Sequence, residues 1–276
     1  MVKLKQKVNK IMLVHLNPLL KKLILICNLV LLSACASLPN GPTEGDPFES
    51  YNRAMFSFND GLDEYFLRPV AEGYDAILPG PVKTGVSNFF SNIGDVFVII
   101  NDLLQFKFRQ AAEDTTRFVI NSTIGLFGLI DVATPAGLPK NNEDFGQTLA
   151  SWGVAEGPYI VLPFFGSQTL RSTAGLAVET TYDPIYDIKQ KDTRYATIAL
   201  RAVDTRYKLL GASRVAEQAA LDKYSFIRDA YLQHRKNLIY DGNPPLEKQA
   251  PMPKETQEDL ELEKELELDL EKSLGL

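Results

Sequence analysis

The chain has 276 residues, 45% of them hydrophobic and 23% charged, with a formal net charge of −6. A negative balance opposes binding to a polyanion, so nucleic acid is not an expected partner. Two cysteines and two histidines are too few for a His-rich or Cys-rich metal pattern or a disulfide framework.

Residues 1–34 read as a targeting segment. Six lysines and no acidic residue open it, an apolar run follows at 23–32, and Ser33 and Ala34 close it. That is the three-part secretory pattern, too short and wrongly flanked for a stable anchor. Leu32-Ser33-Ala34-Cys35 resembles a bacterial lipobox, which makes Cys35 the expected lipidation site and mature N-terminus; the other reading is an ordinary cleavage site before a cysteine. Either Met1 or Met12 serves as a start. Cys27 leaves with the leader, so the processed protein has neither a disulfide nor a free thiolate. Processing removes six positive charges and leaves the mature chain near −12, with 23 Lys/Arg against 35 Asp/Glu.

Residues 35–45 form a tether rich in Pro, Gly and Ser, and 46–242 have the composition of one globular domain. Asp46 is the expected N-cap of a first helix, with Pro47 at its first position and Glu49 three residues on. Phe48, Tyr51, Met55, Phe58 and Leu62 recur at helical spacing, and Arg68-Pro69 is expected to end the helix. Further helices are expected after Pro79-Gly80-Pro81, over 96–108, and from Ala111 onward. Two uncharged stretches follow, at 118–130 and 157–170, separated by a polar, turn-rich insert. Each is too short to cross a bilayer, which takes about 20 apolar residues; each belongs either to a core or to a membrane interface. Residues 159–162, hemmed by Pro158 and Pro163, are the one strand candidate. Asp183-Pro184 marks a turn. A helix is expected to stop at Gly211, and Ser213 or Asp222 to cap the next, whose stripe is Tyr224, Ile227, Tyr231, His234 and Leu238. The expected fold is all-α, with six to eight helices in a single domain. The acidic, Leu/Glu-rich tail over 243–276 has no clean heptad and reads as disordered or partly helical.

Elimination narrows the chemistry. His15 leaves with the leader, so His234 is the one imidazole left, read as a structural histidine on an apolar helix face. No G-x-S-x-G elbow, P-loop or dinucleotide fingerprint is present. The acidic pairs Asp63-Glu64, Glu113-Asp114 and Glu143-Asp144 read as solvated surface. No catalytic residues, metal or cofactor are assigned, and an enzyme is the weaker hypothesis. The uncharged stretches favour lipid, since amphipathic helices rest at an acyl boundary and Gly125 and Gly128 allow close helix approach.

Several long motifs together resemble the VacJ/MlaA family of outer-membrane lipoproteins. They are the lipobox at Cys35, DPFESYNRAMFSFND at 46–60, LRPVAEGY at 67–74, SNFFSNIGD at 87–95, RFVINSTIGLFGLIDVA at 117–133, EDFGQTLASWGV at 143–154 and GPYIVLPFFGSQTLR at 157–171. Where the family often has Asp after the Arg matched by Arg171, this chain has Ser172; the tail lies outside the resemblance. The resemblance implies a ring-like, lipid-anchored helical body in the periplasmic-facing leaflet of a Gram-negative outer membrane. It also implies an amphipathic channel that passes misplaced outer-leaflet phospholipids to a periplasmic carrier of the MlaC type, with a trimeric porin as membrane partner. The channel candidates are Phe58, Asn59, Asn121, Gly125, Gly128, Tyr159 and Phe164. A structural envelope lipoprotein that scaffolds other proteins is the competing reading.

Overall fold

The protein is described here from a computed structural model, over residues 46–245. Cys35, the leader, the tether and residues 246–276 lie outside the described residues. The chain divides into a unit ending at Ile239 and a second beginning at Tyr240. Of the second, the described part is a tight turn in which Asn243 N–H reaches the Tyr240 carbonyl at 2.9 Å, with Asp241 and Gly242 at positive φ.

Among the described residues the first unit holds eight α-helices and one hairpin. They are α1 (Glu49–Leu62), α2 (Arg68–Ile77), α3 (Gly80–Leu104), α4 (Phe108–Thr123), α5 (Phe145–Ser151), β1 (Tyr159–Leu162), β2 (Gly166–Thr169), α6 (Leu170–Tyr182), α7 (Lys191–Ala219) and α8 (Lys223–Ile239). The all-α expectation is met, and the strand candidate is β1, paired antiparallel with β2 from Tyr159↔Thr169 to Leu162↔Gly166. Asp222 is the residue that starts α8, accepting from Tyr224 N–H at 3.1 Å and from the Ser225 hydroxyl at 2.7 Å.

Four boundaries differ from expectation, each for a physical reason. Asp46 is not a cap. It is fully buried, accepts from Asn52 Nδ2 at 2.8 Å and from the Tyr224 hydroxyl, and so ties α1 to α8. Arg68-Pro69 does not end the helical run. A π-helical turn, Asp63–Leu67, widens the backbone just before α2 and admits Pro69 in that helix's first turn, where a missing N–H costs little. The turn also aims Asp63 at Arg206 of α7, which grips it in a two-point pair at 2.6 and 2.9 Å. The helices expected after Pro81 and over 96–108 are one 25-residue helix, α3. Likewise α7 runs through Gly211, where an added Cβ would meet nothing within 4 Å.

Side-chain burial is inverted relative to a water-soluble domain. Among the described residues, eleven apolar side chains are buried against twenty polar or charged ones. Soluble interiors have the opposite bias. The apolar core is small, built on Tyr159, Val161 and Tyr224 with Met55, Phe56, Tyr231 and Leu232 packed against it. Meanwhile Tyr65, Phe66, Val70 and Ile77 on one helical run, and Phe106 and Phe108 at the α3–α4 turn, stand exposed.

Glycines separate open from filled backbone. At Gly175 of α6 an added Cβ would lie 2.5 Å from the Gly146 nitrogen of α5, so the two helices touch backbone to backbone. Gly211→Ala should therefore stabilise the detergent-solubilised protein by roughly 0.5–1 kcal/mol through helix propensity, while Gly175→Ala lowers its melting temperature. Thermal unfolding of the two variants checks the contrast.

Candidate functional site

Two outward-facing apolar turns define the candidate lipid-contact site. The first is the uncharged stretch just beyond α4. After Thr123 the helix gives way to a compact turn in which Leu126, Phe127 and Gly128 have φ of 53°, 60° and 86°. The turn presents Ile124, Leu126, Phe127, Leu129 and Ile130 outward, with Phe127 79% exposed. Most of its N–H groups are nonetheless bonded internally. The N–H groups of Gly125, Phe127, Gly128 and Ile130 reach the carbonyls of Ile120, Ser122, Asn121 and Gly125 at 2.8–3.1 Å. Irregular backbone at membrane depth is tolerated only when its polar groups are matched within the protein, and these four N–H groups are matched in that way.

Asn121 holds the turn in place. Its Oδ1 accepts from the N–H groups of Val132 and Ala133 at 2.9 and 3.0 Å, and its Nδ2 donates to Asp131 at 3.0 Å. Burial alone would raise the Asp131 carboxyl; bonds from Thr134 and Asn121, with Arg117 nearby, outweigh it and lower the carboxyl below its ordinary value. Arg117 also donates to Thr134 Oγ1 at 2.9 Å and to the Leu138 carbonyl. Gly125 and Gly128 are required by space. A Cβ at Gly125 would lie 2.1 Å from the Ile130 carbonyl, and one at Gly128 would lie 2.5 Å from Asn92 Cβ.

The second turn is the β1–β2 connection. Phe164 has φ 68° and is 72% exposed; Phe165 beside it is 56% exposed. Here α1 supplies a stand-in for a third strand. Asn52 and Asn59, seven residues apart, share a helix face. Asn52 donates to the Tyr159 carbonyl at 3.1 Å and accepts from Val161 N–H at 2.8 Å. Asn59 donates to the Leu162 carbonyl at 2.9 Å and accepts from Phe164 N–H at 2.8 Å. The open edge of β1 is thereby closed, and Phe58 meets Phe164 edge-on at 5.6 Å. On the other side, the hairpin and α6 form an open groove of about 420 Å³ lined by Leu162, Phe165, Leu176 and Ala177, with Thr180 and Tyr186 at its polar margin.

Phe58, Asn59, Tyr159 and Phe164 thus gather at the hairpin, and Asn121, Gly125 and Gly128 at the first turn. Tyr159 lies in the core rather than on the surface, 2% exposed with its hydroxyl 2.7 Å from Ser167 Oγ, and burial pushes that hydroxyl up to about 12. The model of the MlaA lipoprotein family matches residues 44–238. The chain belongs to the MlaA lipoprotein family. It is 36% identical over 217 residues to the Escherichia coli protein named intermembrane phospholipid transport system lipoprotein MlaA, covering 77% of this chain and 85% of that one. A Rickettsia bellii protein of uncharacterised role is 37% identical over 192 residues, 69% of this chain and 75% of its own. A solved structure described as "Structural basis for maintenance of bacterial outer membrane lipid asymmetry" superposes with a TM-score of 0.61. It is 34% identical and covers 72% of this chain and 99% of its own.

Sequence reasoning misjudged some polar residues. His234 is exposed, and its neighbour Arg235 is the buried one, paired with Asp144 at the start of α5. The acidic pairs are not all solvated surface. Asp114 and Glu143 are buried, and Asp63 faces Arg206. The missed signal is a polar stripe at helical spacing, Asn92, Asp95 and Asp102 on α3 against Asp114, Arg117 and Asn121 on α4. Ser172 sits in the first turn of α6, its N–H donating to the Thr169 cap at 3.2 Å.

Asn121→Leu removes an amide of similar size and strands the N–H groups of Val132 and Ala133. At about 1–3 kcal/mol for each buried unsatisfied group, it should destabilise the protein by roughly 3 kcal/mol. Asn59→Ala, at a more exposed edge, should cost about 1 kcal/mol. Denaturant titration in detergent ranks the two.

Proposed function

We propose that the protein takes part in intermembrane phospholipid transport as a lipoprotein of the outer membrane, seated in the periplasmic-facing leaflet. In this reading it removes misplaced phospholipids from the outer leaflet beside a trimeric porin. It then passes them through an amphipathic channel to a periplasmic carrier of the MlaC type, which maintains lipid asymmetry. The observation that carries the proposal is the turn over 124–130, apolar outward and hydrogen-bonded inward. Water penalises such a surface, and hydrocarbon accepts it. Family membership supports the transport role.

The chemistry of the cargo fits the arrangement. A phospholipid needs an apolar path for its acyl chains and polar groups for its head. Phe58 and Phe164 offer the first at the hairpin. Asn59 and Asn121 act by fixing the turns, and Gly125 and Gly128 by letting the first turn close. Tyr159 serves as the packed base of the hairpin. No helix among the described residues is long and apolar enough to cross a membrane, which suits seating in one leaflet. Cys35 supplies the anchor.

Phe127→Glu tests the proposal. A charge at membrane depth costs about 2.5–3.5 kcal/mol on insertion scales, while loss of a side chain this exposed removes little internal packing. Gly128 is a poorer choice, because any side chain there strikes Asn92. At equal outer-membrane levels, Phe127→Glu should let phospholipid accumulate in the outer leaflet and raise detergent sensitivity, and Gln233→Glu on exposed α8 surface should do neither. A fully active Phe127→Glu protein would favour a scaffolding lipoprotein.

A further inference from the structure

Two carboxylates meet inside the α3–α4 pair. Asp102 of α3 and Asp114 of α4 have no accessible surface. Both oxygens of Asp102 and Oδ1 of Asp114 lack a hydrogen-bond donor; Oδ2 of Asp114 accepts from Asn141 Nδ2 at 2.9 Å. A buried carboxylate with no donor is strongly disfavoured, and two such groups side by side repel.

The surroundings do not neutralise them. Glu143, on the segment before α5, adds a third buried acid and accepts from Lys107 Nζ at 2.8 Å, Gln105 Nε2 at 2.8 Å and Gln110 Nε2 at 3.1 Å. Lys107 lowers Asp102, but its ammonium is paired with Glu143. Other charges on these elements have partners elsewhere. Lys140 pairs with Asp95, Arg109 with Glu113, Arg117 with Asp131, and Asp144 at the head of α5 with Arg235. Among the described residues no group of three or more His, Cys, Asp or Glu is arranged to hold a metal ion. The economical occupant is a proton.

We propose that Asp102 holds a proton that it donates to Asp114, and that this carboxyl–carboxylate hydrogen bond is a pH-sensitive tie between α3 and α4. Burial, and then the Asp114 charge, push Asp102 up to about 7. A carboxyl whose folded value lies above its unfolded value of about 3.9 holds its proton more tightly when folded. Its contribution is full below the unfolded value and is lost as pH rises through about 7. Asp114 shares a helix face with Asn121 seven residues on, so loosening the tie reaches the residue that fixes the apolar turn.

The test is thermal unfolding of the full lipoprotein in detergent between pH 5.5 and 8.5. The wild type should lose about 3 °C or more across that range. Asp102→Asn places a permanent donor against Asp114, so it should melt higher than the wild type at pH 8.5 and show a flatter profile; Asp114→Asn should do the same. A flat wild-type profile, or variants that keep the wild-type slope, would overturn the proposal. So would the absence of a protonated-carboxyl C=O stretch from wild-type protein at pH 5.5 by infrared spectroscopy, whether or not the variants fold.

Discussion

The structure depends on keeping polar groups in contact with one another so that apolar side chains can face outward. The helix pair α3–α4 carries the longest polar face of this kind. Its interface is built from Asn92, Asp95, Asn101 and Asp102 against Asp114, Arg117 and Asn121, and it ends in a turn whose apolar side chains project away from the protein. In water such a pair would bury charge and expose hydrocarbon, two unfavourable terms at once. Beside acyl chains the outward surface costs nothing, and what remains is to satisfy each inward group. Asn121 bonds Asp131, Val132 and Ala133, and Arg117 bonds Thr134 and the Leu138 carbonyl.

The hairpin solves the same problem with different parts. A two-stranded sheet is marginal alone, and this one has an edge to hide. Two asparagine amides on one face of α1 pair with that edge as a strand would, while Tyr159 and Val161 sink into the small apolar core. Phe164 is held by the bond from its N–H to Asn59, and its ring meets Phe58 edge-on. Sequence-distant contacts of this kind, Asn59 to Phe164 and Asp46 to Tyr224, tie the hairpin region to α1 and α8.

Much of this was legible in the sequence. Proline brackets around residues 159–162 marked the strand, the DP at 183–184 marked the turn after α6, and the long motifs identified the family. What failed were rules that assume local punctuation prevails. Gly211 did not stop α7, because tertiary contacts along a 29-residue helix outweigh one poor helix former. Pro69 did not break the helical run, because a π turn absorbs its missing donor. Asp46 was read as a cap because the rule looks only a few residues ahead, whereas its partner on α8 is 178 residues away. The inverted stripe was readable in principle. A search for apolar periodicity passes over a face on which the buried residues are Asp and Asn.

Contact between the 124–130 turn and lipid is open to direct measurement. A photoreactive amino acid placed at Phe127 of the full lipoprotein, activated in intact cells, tests it directly. Crosslinks to phospholipid are expected at position 127 and none at Gln233. Crosslinks at 127 to protein alone, or equal lipid labelling at the two positions, would contradict it.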